Sequence, residues 1–379
     1  MKRISIAGLI LCACSVPAAS AQKTINCPPT VNWTEFHTID MARWNPCETV
    51  LGVNNVGSLQ LKWSYTTGGS VYSTPIVVNG VVYFGSFDHN VYALNASTGA
   101  VLWSFPTGDL IYSSVALANG VVYAGSMDGD LYALNARTGS LRWSYPTGPV
   151  NVGSPTVANG VVYVGGGSDG VLYALDAKTG ALRWSSNPTC WYLESSPAVS
   201  NGVVYFGDWC GNVYALDANS GALRWSSPVA GGIVYHGPAV TNGVVYVGSN
   251  FGTLYALRAS TGAVLWSYYT NGGIYSSPSV ANGVVYMGSN GDRMNALNAR
   301  TGALLWSYPV PNVVDGNSAV ANGVVYEGSD DGILYAWNAS TGELVWSYPT
   351  GVDSSPSIVN GVLYSGSAFS NTVYAFGLP

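Results

Sequence analysis

Residues 112–145 read YSSVALANGVVYAGSMDGDLYALNARTGSLRWSY, and this stretch decides the fold. Residues 112 to 118 predict a first β-strand, and Asn119-Gly120 a two-residue hairpin turn into a second strand, 121 to 126. Asn-Gly is a strong hairpin signal because both residues tolerate positive φ. Asp128-Gly129 turns the chain into a third strand, 131 to 135, and Thr138-Gly139 into a fourth, 140 to 145. Four short antiparallel strands in about forty residues describe one propeller blade.

Working outward, the unit repeats. Asn-Gly followed by an apolar pair and Tyr recurs at Asn79, Asn119, Asn159, Asn201, Asn242, Asn282, Asn322 and Asn360. A tryptophan recurs at Trp63, Trp103, Trp143, Trp184, Trp225, Trp266, Trp306 and Trp346. Both series have eight members, 38 to 42 residues apart. The phase of the repeat dictates closure: residues 59–65 form a fourth strand with no first three before it, and residues 353–376 supply three strands without a fourth. The prediction is an all-β, eight-bladed β-propeller of four-stranded antiparallel blades, closed by N-terminal strand pairing in the last blade. An unclosed ring would leave a long Val-rich edge open to aggregation. The repeated indole, equivalent in every unit, is read as packing between neighbouring sheets with its N–H on a backbone carbonyl. The Asp-Gly turns at Asp128, Asp169 and Asp331 satisfy turn geometry and lack the ligand density of a calcium loop.

Ahead of the repeat, residues 1–21 read as a secretory signal: Lys2 and Arg3, an apolar run from Ile4 to Leu11, and a small-residue site at Ala19-Ser20-Ala21. The domain expectation is a signal peptide over 1–21, an N-terminal arm over 22–57 and the propeller over 58–379. A second processing reading lipidates Cys14. The protein is expected to be exported to the periplasm, cell surface or medium. Cleavage leaves eleven basic against nineteen acidic residues, a net charge of −8, which disfavours nucleic acid or anionic membrane as partners. No segment is long and apolar enough for a transmembrane helix, and a monomer is expected. Cys27, Cys47, Cys190 and Cys210 remain, an even number in an exported chain, which makes two disulfides the default. Three connectivities are open; Cys27–Cys47 with Cys190–Cys210 is preferred, because the two blade-four loops share a face.

Ala93-Leu94-Asn95-Ala96-Ser97-Thr98-Gly99-Ala100-Val101-Leu102-Trp103 and its relatives resemble the Ala-x-Asp-x-x-x-Gly-x-x-x-Trp docking motif of the pyrroloquinoline quinone (PQQ)-like repeat family. Asp176 and Asp217 carry the consensus Asp; Asn is common elsewhere, and Arg258 departs from it. The segment from Trp33 to Trp63 also resembles the start of such propellers. The resemblance implies the fold and two functional classes: quinoprotein alcohol and sugar dehydrogenases, which hold PQQ and calcium near the axis, and outer-membrane assembly scaffolds, which bind protein segments. The dehydrogenases' adjacent cysteines are missing, since Trp191 follows Cys190 and Gly211 follows Cys210, and so are their long inserted loops.

In a repeat protein the deviations are informative, because the repeats already express what the fold requires. Aligned on Ser-Ser-Pro, the innermost strands start at Tyr72, Tyr112, Val152, Glu194, Tyr235, Tyr275, Asp315 and Asp353, which predicts a ring of tyrosines and acids around one mouth. His236 follows Tyr235 where most blades have a small residue. Blade four departs most, with Cys190-Trp191-Tyr192-Leu193-Glu194 in one loop and Asp208-Trp209-Cys210-Gly211 in the other. Rigid aromatic surface beside an acid is a means of holding a sugar, a peptide or a cation. The candidate ligand site is therefore Trp191, Tyr192, Glu194, Trp209, Tyr72, Tyr112, Tyr235, His236, Tyr275, Asp315 and Asp353. Catalytic residues are unassigned and no metal site is expected: three histidines (His37, His89, His236) give no Ser-His-Asp pattern, and the glycines sit in hairpins, not phosphate loops. The functional expectation is an exported, non-catalytic propeller binding a protein segment or small ligand, including a glycan, at this mouth. The alternatives are a minimal PQQ- and calcium-dependent dehydrogenase and a purely architectural envelope module.

Overall fold

The computed structural model describes residues 27, 32–37, 41–148, 153–189, 192–229, 232, 236–314, 316–351 and 355–379. They form eight radial sheets. In the second blade, β7 (Ala116–Ala118), β8 (Val121–Gly125), β9 (Asp130–Asn135) and β10 (Leu141–Pro146) pair antiparallel in sequence order. Asn119 takes φ 50° and Gly120 φ 73°, as the Asn-Gly turn requires. The inner strand differs from its expected extent, pairing only from Ala116 and not from Tyr112. Residues 112–115 bond sideways instead: the Ser114 N–H donates to Ser154 Oγ (3.0 Å), and Ser114 Oγ accepts from the Thr74 N–H (2.9 Å). The Ser-Ser-Pro signature is thus a circumferential belt between blades.

Closure follows the phase of the repeat. β2 (Gln60–Thr66) pairs antiparallel with β33 (Thr372–Gly377), placing Ser64 opposite Tyr374 and Trp63 opposite Ala375. A register shift precedes each docking tryptophan, between Leu61 and Trp63 here and between Leu141 and Trp143 in the second blade. Such a bulge re-aims the side chain that follows it. Seven of the eight indoles then lie on the glycine of the third-to-fourth-strand turn of the next blade, and a Cβ on Gly99 would sit 2.8 Å from the Trp63 ring; Trp346 instead packs against Phe376, 5.3 Å between ring centroids. Trp103 Nε1 and Tyr83 Oη both donate to the Ala136 carbonyl, at 2.9 and 3.2 Å. The pairing recurs at Trp63, Trp184, Trp225, Trp266 and Trp306. The core is accordingly a ring of inter-sheet layers, with Val82, Phe84, Val122, Leu134, Val204 and Phe206 fully buried.

Residues preceding β2 enter the axis. Cys27 is joined to Cys47 by a disulfide, and β1 (Trp44–Asn45) adds to the seventh blade parallel to β27 (Ala319–Ala321), making that sheet five-stranded. Trp33 bridges Val77 antiparallel, with 2.8 Å bonds in both directions. Asn32, Glu48 and Leu51 meet the Asn-Gly turns at Asn79, Gly361 and Asn322, so the arm closes the end of the channel opposite the inner-strand starts.

Candidate functional site

The mouth at the inner-strand starts is built from two loop types, those preceding each inner strand and those joining second to third strands. In blade four, the Leu193 N–H donates to the Gly167 carbonyl of the preceding blade (2.8 Å), which sets the loop that carries Tyr192 and Glu194. Buried Asp208 holds the other loop, accepting from the Cys210 N–H (3.0 Å) and the Tyr214 hydroxyl (2.9 Å). The two loops meet: the Tyr192 and Trp209 rings lie 4.8 Å apart at 36°, and Trp209 Nε1 donates to Glu194 Oε2 at 3.0 Å. Burial pushes the Glu194 carboxyl above its usual range, and the indole bond draws it partly back.

A second aromatic cluster lies on blades one and two. Tyr72 and Tyr112 stack with centroids 5.0 Å apart at 13°, and Phe87 packs on both, at 4.8 and 5.7 Å. Phe87 was absent from the expected site. Its signal was available, since Phe87 occupies the repeat position of Trp209, the second residue after the second-strand glycine. Tyr275 is half-buried beside Gly273. Burial and the Arg43 charge push the His236 imidazole down to about 4. Of the remaining expected residues, Trp191, Tyr235, Asp315 and Asp353 lie outside the described residues, as does Cys190; Cys210 takes part in a disulfide.

Behind the mouth, the axis is filled by a charged, buried set that the repeat does not announce. Arg43 is fully buried and donates to the carbonyls of Phe36 (2.6 Å), Ser318 (2.8 Å), Asn317 (3.3 Å) and Pro356 (3.4 Å), with its guanidinium 4.5 Å from the Phe36 ring centroid. Burial lowers its pKa to about 9, opposed by the charge of Glu327. Glu327 is fully buried where six other blades place Phe84, Ala124, Val164, Phe206, Val247 and Met287. Glu35 accepts from the Val157 N–H (3.1 Å), and burial raises its carboxyl to about 7. His37 lies 3.4 Å from the Ser196 carbonyl, and burial lowers it to about 3.

The resemblance implies PQQ and calcium at this axis, and the described residues do not fit them. A tricarboxylate quinone needs available cations, yet Arg43 is committed to four carbonyls, and burial holds His37 and His236 neutral. Among the described residues no three His, Cys, Asp or Glu side chains converge as a metal site.

Comparison with known proteins places this geometry. A family model described as outer membrane protein assembly factor BamB matches residues 88–233, 211–315 and 311–376. One described as the β-propeller domain of glucose/ethanol/alcohol dehydrogenase matches residues 33–114. Among solved structures, quinohemoprotein alcohol dehydrogenase from Comamonas testosteroni superposes with a TM-score of 0.78 at 20% identity, over 92% of this chain and 80% of that one. BamB from Moraxella catarrhalis does so with 0.72 at 22% identity, over 84% and 99%. A europium-containing methanol dehydrogenase gives 0.77 at 16% identity, over 92% and 98%. No curated protein matches the chain. At these identities the structural likeness establishes the fold alone.

Proposed function

The chain belongs to the family of PQQ-like β-propellers that includes BamB, and from that premise we propose that it is an exported, non-catalytic propeller binding a protein segment or small ligand at the blade-four mouth. The observation that carries this reading is the Tyr192–Trp209 pair with Glu194 held by the indole N–H. An aromatic face beside a half-buried carboxylate attracts a cationic side chain or the C–H face of a sugar. Trp191, Asp315 and Asp353 extend the proposed site, and the Cys190–Cys210 disulfide staples its two loops. Residues 1–21 act as the export signal, and the mature chain divides into an arm and a propeller at residue 58.

Peptide and glycan arrays on the mature protein test the site. Binding should drop about tenfold or more in Trp209→Ala, and equal binding by wild type and variant would remove this face from consideration. The match of residues 33–114 to a dehydrogenase propeller favours a second reading, a minimal PQQ-dependent dehydrogenase. Dialysis after loading with PQQ and calcium separates the two: stoichiometric retention of quinone absorbance with dye-linked alcohol or sugar oxidation would establish the enzyme. Absence of both array binding and retention would leave the architectural module.

A further inference from the structure

The arm touches the inner wall of every blade, in chain order. On blade one, Trp33 exchanges backbone bonds with Val77; on blade two, the Thr34 carbonyl accepts from the Leu117 N–H (2.7 Å); on blade three, Glu35 Oε2 accepts from the Val157 N–H (3.1 Å). His37 faces Ser196 of blade four and fills the space at Gly237 of blade five, where a Cβ would lie 2.6 Å from its ring. The Ala42 and Arg43 carbonyls accept from Val280 (2.9 Å) and Val320 (3.1 Å) of blades six and seven, and Asn45 Nδ2 donates to Ile358 O of blade eight (2.7 Å). The N–H donors at Val77, Leu117, Val157, Val280 and Val320 are the same repeat position, the middle residue of a three-residue inner strand. Together they present inward-facing amides, and the arm satisfies four of them with backbone carbonyls, as an added strand does at a sheet edge, and that of Val157 with the Glu35 carboxylate.

We propose that this amide-lined inner wall is a peptide-recognition site, that residues 33–37 and 41–45 are its resident ligand, and that the Cys27–Cys47 disulfide is the latch retaining them. Cys47 is anchored beside the wall, with its N–H on Asn45 Oδ1 (3.0 Å), while Cys27 is exposed and brings the N-terminal end of the arm back to that anchor. The latch therefore closes residues 27–47 into a covalent loop. A dithiol opens it by exchange at Cys27: the S–S bond takes up two electrons and two protons to give two thiols, and the dithiol becomes a disulfide. The vacated wall accepts an extended segment of the arm's chemistry, two consecutive carbonyls from an aromatic and a Thr-like residue followed by a carboxylate. The amides of this wall belong to the inner strands and not to the loops that carry Tyr192 and Trp209, so the two proposals are tested by separate variants.

The test uses the full mature chain, wild type and Cys27→Ser, with hydrogen exchange read at the five inner-strand amides. Exchange at Val77, Leu117 and Val157 should quicken about tenfold or more on loss of the latch, while Val280 and Val320, held by Ala42 and Arg43, change far less. A labelled peptide of residues 32–37 should bind Cys27→Ser saturably and at least about tenfold more tightly than oxidised wild type. Identical exchange in the two proteins, or equal or absent peptide binding, would overturn the proposal. Loss of the β-sheet circular dichroism in Cys27→Ser would overturn it too, by showing that the arm is core and not a separable ligand.

Discussion

The rim and the axis of this propeller obey different rules. At the rim, one device recurs at six of the eight tryptophans: an indole over a Thr-Gly or Ser-Gly turn, with its N–H on an alanine carbonyl at 2.8 to 3.1 Å. At the axis, one non-repeating segment meets eight equivalent strands, and the symmetry has to break. The belt of hydroxyls lapses at Gly237, where His37 intrudes, Asn317 replaces a serine, and Glu327 replaces an apolar side chain near Arg43. Repeated contacts build stability in increments, whereas a single contact made by a unique segment carries specificity, because nothing elsewhere in the ring duplicates it.

Closure lies on the rim side of this contrast and should dominate. Deleting residues 59–66 exposes β33 as a free edge, and the melting temperature should fall by more than about 10 °C with aggregation; unchanged melting and solubility would contradict the pairing of Ser64 with Tyr374. Next, Trp103→Ala and Trp225→Ala should each cost about 3–5 kcal/mol in chemical denaturation, and a wide disparity between them would break the equivalence of the rim. Arg43→Leu should cost on the order of 3 kcal/mol, since it strands buried carbonyls and Glu327 at once. A near-neutral result would mean that the axis tolerates change as the rim's surface does.

Gly237→Ala sharpens the comparison further. The added methyl strikes His37 and should cost about 1–3 kcal/mol, whereas Ser277→Ala, on the equivalent residue of blade six, should cost less. Smallest is the pH effect of the axial groups. Glu35, raised to about 7, contributes stability that is fully present below its unfolded value near 4.5 and is lost as pH rises through 7. His37 and His236, lowered to about 3 and 4, contribute stability that is present above about 6.5 and lost as pH falls. Denaturation midpoints should therefore be greatest in mildly acidic buffer, and Glu35→Gln should flatten the decline toward neutral pH. An unchanged alkaline slope in that variant would show that Glu35 is not the group responsible.

The Asn-Gly turns, the tryptophan spacing and the phase of the fragments at either end were enough to read blade number, strand order and ring closure from the amino acids. Each is a local or periodic property: turn geometry is set within two residues, and a repeat unit can bury its face only against a copy of itself. The same logic identified Trp209 and Glu194 as departures from the pattern, though not that the indole N–H would lie on that carboxylate. The arm was beyond such reading. Residues 32–48 carry no period, and Arg43, Glu35 and His37 are unremarkable in a sequence with 13 basic and 19 acidic residues. Their roles follow from which eight strands surround them, contacts up to 313 residues away in the chain. Only the closed ring brings those partners together and removes the water that would otherwise make the charges ordinary.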